Sequence, residues 1–143
     1  MYQYHFDRVK SETYDGKFVD YRLFYYAGGY ESLDGALQWL KKTAKPEDVV
    51  AAPEPQWAYL RTGLKAVMPP LELNPERAQA LLDSVPAAYI LLDFETAGQF
   101  TFPYVLHLVE GDPRAWKPVY SDKKALLRVY ERVGSEDRYK ATQ

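Results

Sequence analysis

Ser32 to Met68, SLDGALQWLKKTAKPEDVVAAPEPQWAYLRTGLKAVM, is the stretch whose reading decides the fold. Leu33, Ala36, Leu37 and Leu40 recur at i, i+3, i+4 and i+7, the apolar stripe of a helix with one buried face. Ser32 is expected as its N-cap. Asp34 near the start and Lys41 and Lys42 near the end suit the helix dipole, and Pro46 marks the exit. Val49 to Ala52 is an apolar run without alternation, the pattern of a strand covered on both faces. Pro55 fits the first turn of a second helix, which carries Trp57 and Leu60 and stops at Gly63. Lys65 to Met68 is a second short strand, ended by Pro69-Pro70. Helix, strand, helix, strand is the grammar of an α/β domain.

Downstream the alternation continues. Asn74-Pro75 opens a helix with Asn as cap and Pro as first helical residue, and Ala78, Leu81, Leu82 and Val85 form its stripe before Pro86. Ala88 to Leu92 is a buried strand running into Asp93, Phe94 and Glu95. Thr101 to Val109 reads as a helix with Phe102, Leu106 and Val109 inward and Gly111 at its end. Trp116 to Tyr120 and Leu126 to Val133 form an antiparallel hairpin around Ser121 to Lys124. Its second strand places Leu127, Val129 and Val133 on one side and Arg128, Tyr130 and Arg132 on the other. The expected fold is a small, mostly parallel sheet with helices on both faces and a C-terminal antiparallel hairpin at an edge. It is Rossmann-like but has no dinucleotide motif.

Upstream the composition shifts. Tyr numbers 13 in the chain, and ten aromatic residues lie within the first 30 positions. Tyr2, Tyr4 and Phe6 alternate as in a strand; Tyr14, Phe18, Tyr21 and Tyr25 recur at helical spacing, although Gly16 and the aromatics favour extended structure. Gly28-Gly29 reads as a turn or hinge. The expected division is an aromatic arm over residues 1–30, an α/β domain over 31–133 and a polar tail over 134–143. Tyr and Phe mixed with Arg8, Lys10, Lys17 and Arg22 is a composition favoured at a membrane interface. The same arm can instead fold back on the body, or serve self-association into a homo-oligomer.

A chain of 143 residues with 47% hydrophobic and 27% charged residues is an ordinary globular domain, long enough to bury a core. A net charge of −2 gives no basic face for nucleic acid. No apolar run approaches the ~20 residues that cross a bilayer, and no signal-peptide pattern follows Met1. Read literally, the chain is cytoplasmic; read as an excised fragment, it can come from anywhere in a longer parent. With no cysteine there is neither disulfide nor thiol chemistry.

Catalytic motifs are missing. His5 and His107 are the only histidines, and neither has a patterned metal partner, so no metal site and no cofactor are expected. Ser11, Ser32, Ser84 and Ser121 lack a nucleophile elbow. The first strand of the body is followed by Pro53-Glu54-Pro55 where a nucleotide site places glycines. Proline removes the N–H donors and Glu54 repels phosphate, which argues against a dinucleotide.

What remains is an acidic rim. In open α/β sheets the ligand crevice lies beyond the carboxyl ends of the strands. If the first and third strands of the body are parallel neighbours, Glu54, Gln56, Trp57, Asp93 and Glu95 share one edge. Carboxylates and an amide accept from hydroxyls, and an indole packs on the C–H face of a sugar. The bland alternative is solvated loop charges and a core tryptophan. A small cytoplasmic α/β enzyme using these carboxylates as acid and base is a further alternative, and it requires a deep pocket there.

The segment ALQWLKKTAKPEDVVAAPEPQWAYLRTGLKAV resembles the extracytoplasmic C-terminal domain of multi-spanning, lipid-phosphate-sugar-dependent glycosyltransferases, the protein O-mannosyltransferase-like superfamily. The matching residues are Ala36, Trp39, Leu40, Thr43, Pro46, Asp48, Val49, Val50, Tyr59, Leu60, Thr62, Gly63, Lys65 and Ala66. AAYILLD (Ala87 to Asp93) and WKPVYSDKKALLRVYERV are similar to that domain's later strand and terminal hairpin. The likeness spans roughly residues 31–133 and departs from the family in having no membrane helix before it. It implies a non-catalytic accessory domain at the extracytoplasmic face of the inner membrane. Its partners would be the membrane-embedded transferase portion of a parent protein and an acceptor or polyprenyl-phosphate sugar. It carries no catalytic role onto any position, because the superfamily's catalytic acids lie in membrane-portion loops that have no counterpart here.

Overall fold

The computed structural model describes residues 7–12, 14–23, 28–94, 98–124 and 126–134. Two short strands come first, β1 (Asp7–Glu12) and β2 (Phe18–Leu23). Then follow α1 (Gly28–Thr43), β3 (Val49–Ala51), α2 (Pro55–Thr62), β4 (Lys65–Val67), α3 (Pro75–Asp83), β5 (Ala87–Leu92), α4 (Gly98–Gly111), β6 (Trp116–Asp122) and β7 (Leu127–Arg132). The body is a five-stranded sheet in the order β4-β3-β5-β7-β6. β3 pairs in parallel with both β4 and β5, and β7 runs antiparallel to β5 and β6. The expected α/β architecture, parallel centre and edge hairpin are all present.

Each sheet face carries its own core. On one side Leu33, Ala36, Leu37 and Leu40 of α1 and Ala58 of α2 pack on Val50, Tyr89, Leu91, Leu127 and Val129. On the other, Ala78 and Leu82 of α3 and Val105, Leu108 and Val109 of α4 pack on Ala51, Ile90, Leu92, Trp116 and Tyr130. β5 is therefore buried on both faces, which is why its sequence shows no alternation. The parity expected for β7 holds for Leu127 and Val129 against Arg128, Tyr130 and Arg132. Its second face is not open, however: Tyr130 and Arg132 are buried beneath the helices, and the Arg132 guanidinium lies 5.2 Å from the Trp116 ring centre. Val133, Leu81 and Leu60 are exposed.

Local signals set the element ends. Gly63 takes the left-handed conformation (φ 73°) that closes α2, its N–H donating to Tyr59 O. The Asn74 side chain accepts from Arg77 N at 3.0 Å, capping α3 ahead of Pro75. Two expectations are corrected. Ser32 is not a cap; α1 begins four residues earlier, so Gly28-Gly29 lies in its first turn rather than in a hinge. Glycine is tolerated there because the first N–H groups of a helix have no intrahelical partner, and Glu31 favours the positive dipole end.

The helical spacing is also overturned from Tyr14 through Tyr21; Tyr25 lies outside the described residues. Phe18–Leu23 is a strand paired antiparallel with Asp7–Glu12, with Gly16 at φ 81° in the turn between them. A strand partner outweighs a periodicity built of β-favouring aromatics. Tyr14, in that turn, meets the body: its ring lies 6.1 Å from that of Tyr59, and its Cβ would stand 3.1 Å from a Cβ placed on Gly63. The alternation at Tyr2, Tyr4 and Phe6 and the tail beyond residue 134 lie outside the described residues.

Candidate functional site at the carboxyl ends of the parallel strands

The chain leaves β3 through α2 toward β4 on one face, and leaves β5 through α4 toward the β6–β7 hairpin on the other. Adjacent parallel strands whose connections depart in opposite directions leave a crevice between their carboxyl ends. Glu54 follows β3 and Asp93 follows β5, so the predicted rim residues flank this crevice.

Tyr30 reaches the crevice from a third element. α1 precedes β3 and descends over the sheet, which puts its first turn at the carboxyl end. There the Tyr30 hydroxyl donates to Glu54 Oε1 at 3.0 Å. Partial burial, and then the hydrogen bond to Glu54 and the charges of Glu54 and Asp93, hold the Tyr30 pKa above its ordinary value. Asp93 itself is only 1% exposed. It is enclosed by the start of α4, where Gly98 passes so close that a Cβ there would lie 2.2 Å from the Asp93 carbonyl oxygen. No residue with a side chain can make this approach without moving the helix.

Trp57 is tied to a second network on the same side. Its indole N–H donates to Asp34 Oδ1 at 2.8 Å; Arg61 Nε donates to the same oxygen at 3.1 Å and Nη2 to Oδ2 at 3.4 Å. The Arg61 guanidinium carbon sits 4.5 Å above the Trp57 ring, and Tyr30 meets that ring edge-on at 5.9 Å. Arg61 is only 6% exposed, and burial lowers its pKa. Trp57 is thus neither a free stacking platform nor a plain core residue: its polar atom is engaged, and its ring bridges the Asp34–Arg61 pair to Tyr30. Gln56 is exposed on the first turn of α2, and Glu95 lies outside the described residues.

The sequence reading missed Tyr30, which it assigned to the arm, and the role of Asp34, which it read only as a dipole-compatible charge. The signal for Tyr30 was the start of α1: once Gly28 opens that helix, its first turn falls beside the residues after β3. As a chemical set, the rim offers a carboxylate (Glu54), a phenol (Tyr30) and an amide (Gln56), with the Asp93 carboxyl group buried behind them. Such groups accept from and donate to ligand hydroxyls.

No known family profile matches the chain, and no curated protein does. Similarity to a solved structure is found. That structure is the crystallised C-terminal globular domain of an oligosaccharyltransferase from Archaeoglobus fulgidus, at 11% identity and a TM-score of 0.49, over 76% of this chain and 99% of that domain. Identity and score at this level carry no functional argument.

The residues that carry the sequence resemblance have structural tasks here. Ala36, Leu40 and Val50 are fully buried. Asp48 accepts from Lys45 N at 2.8 Å in the turn before β3. The Thr62 hydroxyl donates to Ala58 O at 2.6 Å and accepts from Leu64 N at 3.1 Å, fixing the α2–β4 turn beside Gly63. These residues of the motif take part in the packing and turns that hold the rim. Among the described residues, no helix is long and apolar enough to cross a membrane.

Proposed function

We propose that this chain is a non-catalytic accessory domain of a membrane glycosyltransferase, and that its carboxyl-end rim contacts the acceptor or a lipid-linked sugar. The reading rests on the sequence resemblance over residues 31–133, with one structural observation in its favour: the hydrogen bond between Tyr30 and Glu54 at the crevice between β3 and β5. Glu54 and Gln56 are the groups that would meet sugar hydroxyls. Trp57 would offer whatever part of its ring Arg61 and Tyr30 leave open, and Asp93 and Glu95 complete the acidic set. In this reading the extracytoplasmic face of the inner membrane is the location, the membrane-embedded transferase portion of a parent protein is the partner, and the segment ahead of α1 forms the membrane-proximal connection.

The test is titration of the chain with free sugars and with short-chain polyprenyl-phosphate sugar analogues, followed by tryptophan fluorescence with Trp57→Phe as the control. A saturable change that disappears in Trp57→Phe and weakens in Glu54→Gln supports the reading. A flat response across both ligand classes removes the sugar contact. The accessory role also expects hydrophobic spans encoded in the reading frame upstream of Met1.

A further inference from the structure

The same end of the sheet carries exposed apolar side chains that the fold does not use. Phe94 follows β5 and is 42% exposed, although its ring meets Phe102 edge-on at 5.0 Å. Phe100, in the first turn of α4, is 63% exposed. Met68, just past β4, is 47% exposed, and Leu126, at the β6–β7 turn, is 58% exposed. The pairings of Leu92 with Arg128 and of Asp122 with Leu127 bring that turn to the carboxyl end of β5, and the parallel pairing of β3 with β4 brings Met68 there too. The apolar residues are thus strung along a rim five strands wide, about 20 Å at the usual strand spacing.

Leu126 adds a second observation. It is the one non-glycine residue with positive φ (46°) among the described residues. That conformation favours Gly or Asn, and a Leu held there with its side chain in solvent contributes nothing to the core. Two exposed lysines precede it, Lys123 and Lys124, and the exposed Arg128 follows. Of the carboxylates at this end, Asp122 Oδ1 accepts from Lys124 N at 2.9 Å, Glu54 accepts from Tyr30 and Asp93 is buried, while Glu31 in the first turn of α1 is exposed.

We propose that this rim rests on an anionic lipid surface. Phe94, Phe100 and Leu126 enter the headgroup layer, while Lys123 and Lys124 meet its phosphates; Arg128 donates through Nη1 to the Tyr130 hydroxyl at 3.5 Å. Single apolar side chains spaced along a line and flanked by cations suit a plane; a protein partner selects a clustered anchor filling a pocket. The proposal deepens the accessory-domain reading by naming the face turned to the membrane, and it needs no sugar.

The experiment is co-sedimentation of the full chain with vesicles of phosphatidylglycerol and phosphatidylcholine, against phosphatidylcholine alone, at about 0.1 M salt. Binding to the anionic vesicles is expected. Leu126→Gly and Phe100→Gln should each weaken it, about tenfold for the loss of one inserted apolar side chain. Lys123→Gln with Lys124→Gln should erase the preference for anionic vesicles. Leu126→Gly suits its conformation better than Leu, so its melting temperature should not fall, which separates lost binding from misfolding. Absence of binding to anionic vesicles, or binding that these variants leave unchanged, overturns the proposal; the latter outcome assigns the contact to other residues. Because the vesicles contain no sugar lipid, a chain that binds them but ignores sugars keeps this inference and loses the sugar contact. A chain that takes sugars but ignores the vesicles keeps the sugar contact and loses this inference.

Discussion

The Tyr30 hydroxyl donates to Glu54 Oε1 across 24 residues of chain, tying the first turn of α1 to the residue that follows β3. This bond joins the helix entry to the crevice, so its loss should be felt in both stability and ligand contact. Tyr30→Phe keeps the ring against Trp57 and deletes only the donor. It should cost about 1 kcal/mol in urea unfolding, the worth of one partly buried hydrogen bond to a charged acceptor. An unchanged midpoint would mean that the bond does not hold α1 to β3 in solution.

Stability should fall at alkaline pH. Tyr30 is held above its ordinary pKa by burial and by Glu54 and Asp93, so the native state keeps this proton more tightly than the unfolded chain does. Below about pH 10 both states are protonated and the contribution is complete. As pH rises through the folded value, a phenolate must form beside two carboxylates and the contribution is lost. Burial likewise raises Tyr89 and Tyr120, with the same sign. Unfolding midpoints measured from about pH 8 to about pH 11 should therefore decline, and Tyr30→Phe should flatten part of that slope without abolishing it.

Asp34→Ala should be among the costlier polar substitutions. It takes away the carboxylate shared by the Trp57 indole and the buried Arg61 guanidinium. Removing one partner of a buried pair leaves the other charge poorly compensated, and a loss of about 3 kcal/mol is expected. Trp57 emission should shift to longer wavelength as its ring loosens. A loss below about 0.5 kcal/mol, the level of an ordinary surface ion pair, would show that the network adds little.

Gly98→Ala and Gly63→Ala should differ in kind. At Gly98 the new methyl meets the Asp93 backbone at 2.2 Å, so α4 must move away from the end of β5. The expected loss is about 2–3 kcal/mol, with altered chemical shifts around Asp93. At Gly63 the cost is the left-handed backbone, about 1 kcal/mol, with the 3.1 Å approach to Tyr14 added where the hairpin turn docks. Equal losses would mean that α4 yields easily at its start.

Much of the body was legible because its signals are local. Pro55 and Gly63 bound α2, Asn74-Pro75 opens α3, and the unbroken apolar run at Ala87–Leu92 marks a strand covered on both faces. The errors came where local preference and long-range pairing disagree. Ser32 is a good cap by composition, yet α1 extends back to Gly28 and brings Tyr30 to Glu54. The aromatic spacing from Tyr14 through Tyr21 matches a helix, yet strand pairing with β1 takes precedence.

The sequence by itself determined the alternation of helices and strands, the parallel centre and the two acidic residues beyond the strand ends, because periodicity, caps and apolar runs act within a few residues. Only the tertiary structure decided that Tyr30 lies over Glu54 and that Trp57 gives its N–H to Asp34, 23 residues earlier in the chain. It also decided that Asp93 is enclosed by α4. Those contacts join positions far apart in the chain, and they exist only once helix packing on the sheet has brought the elements together.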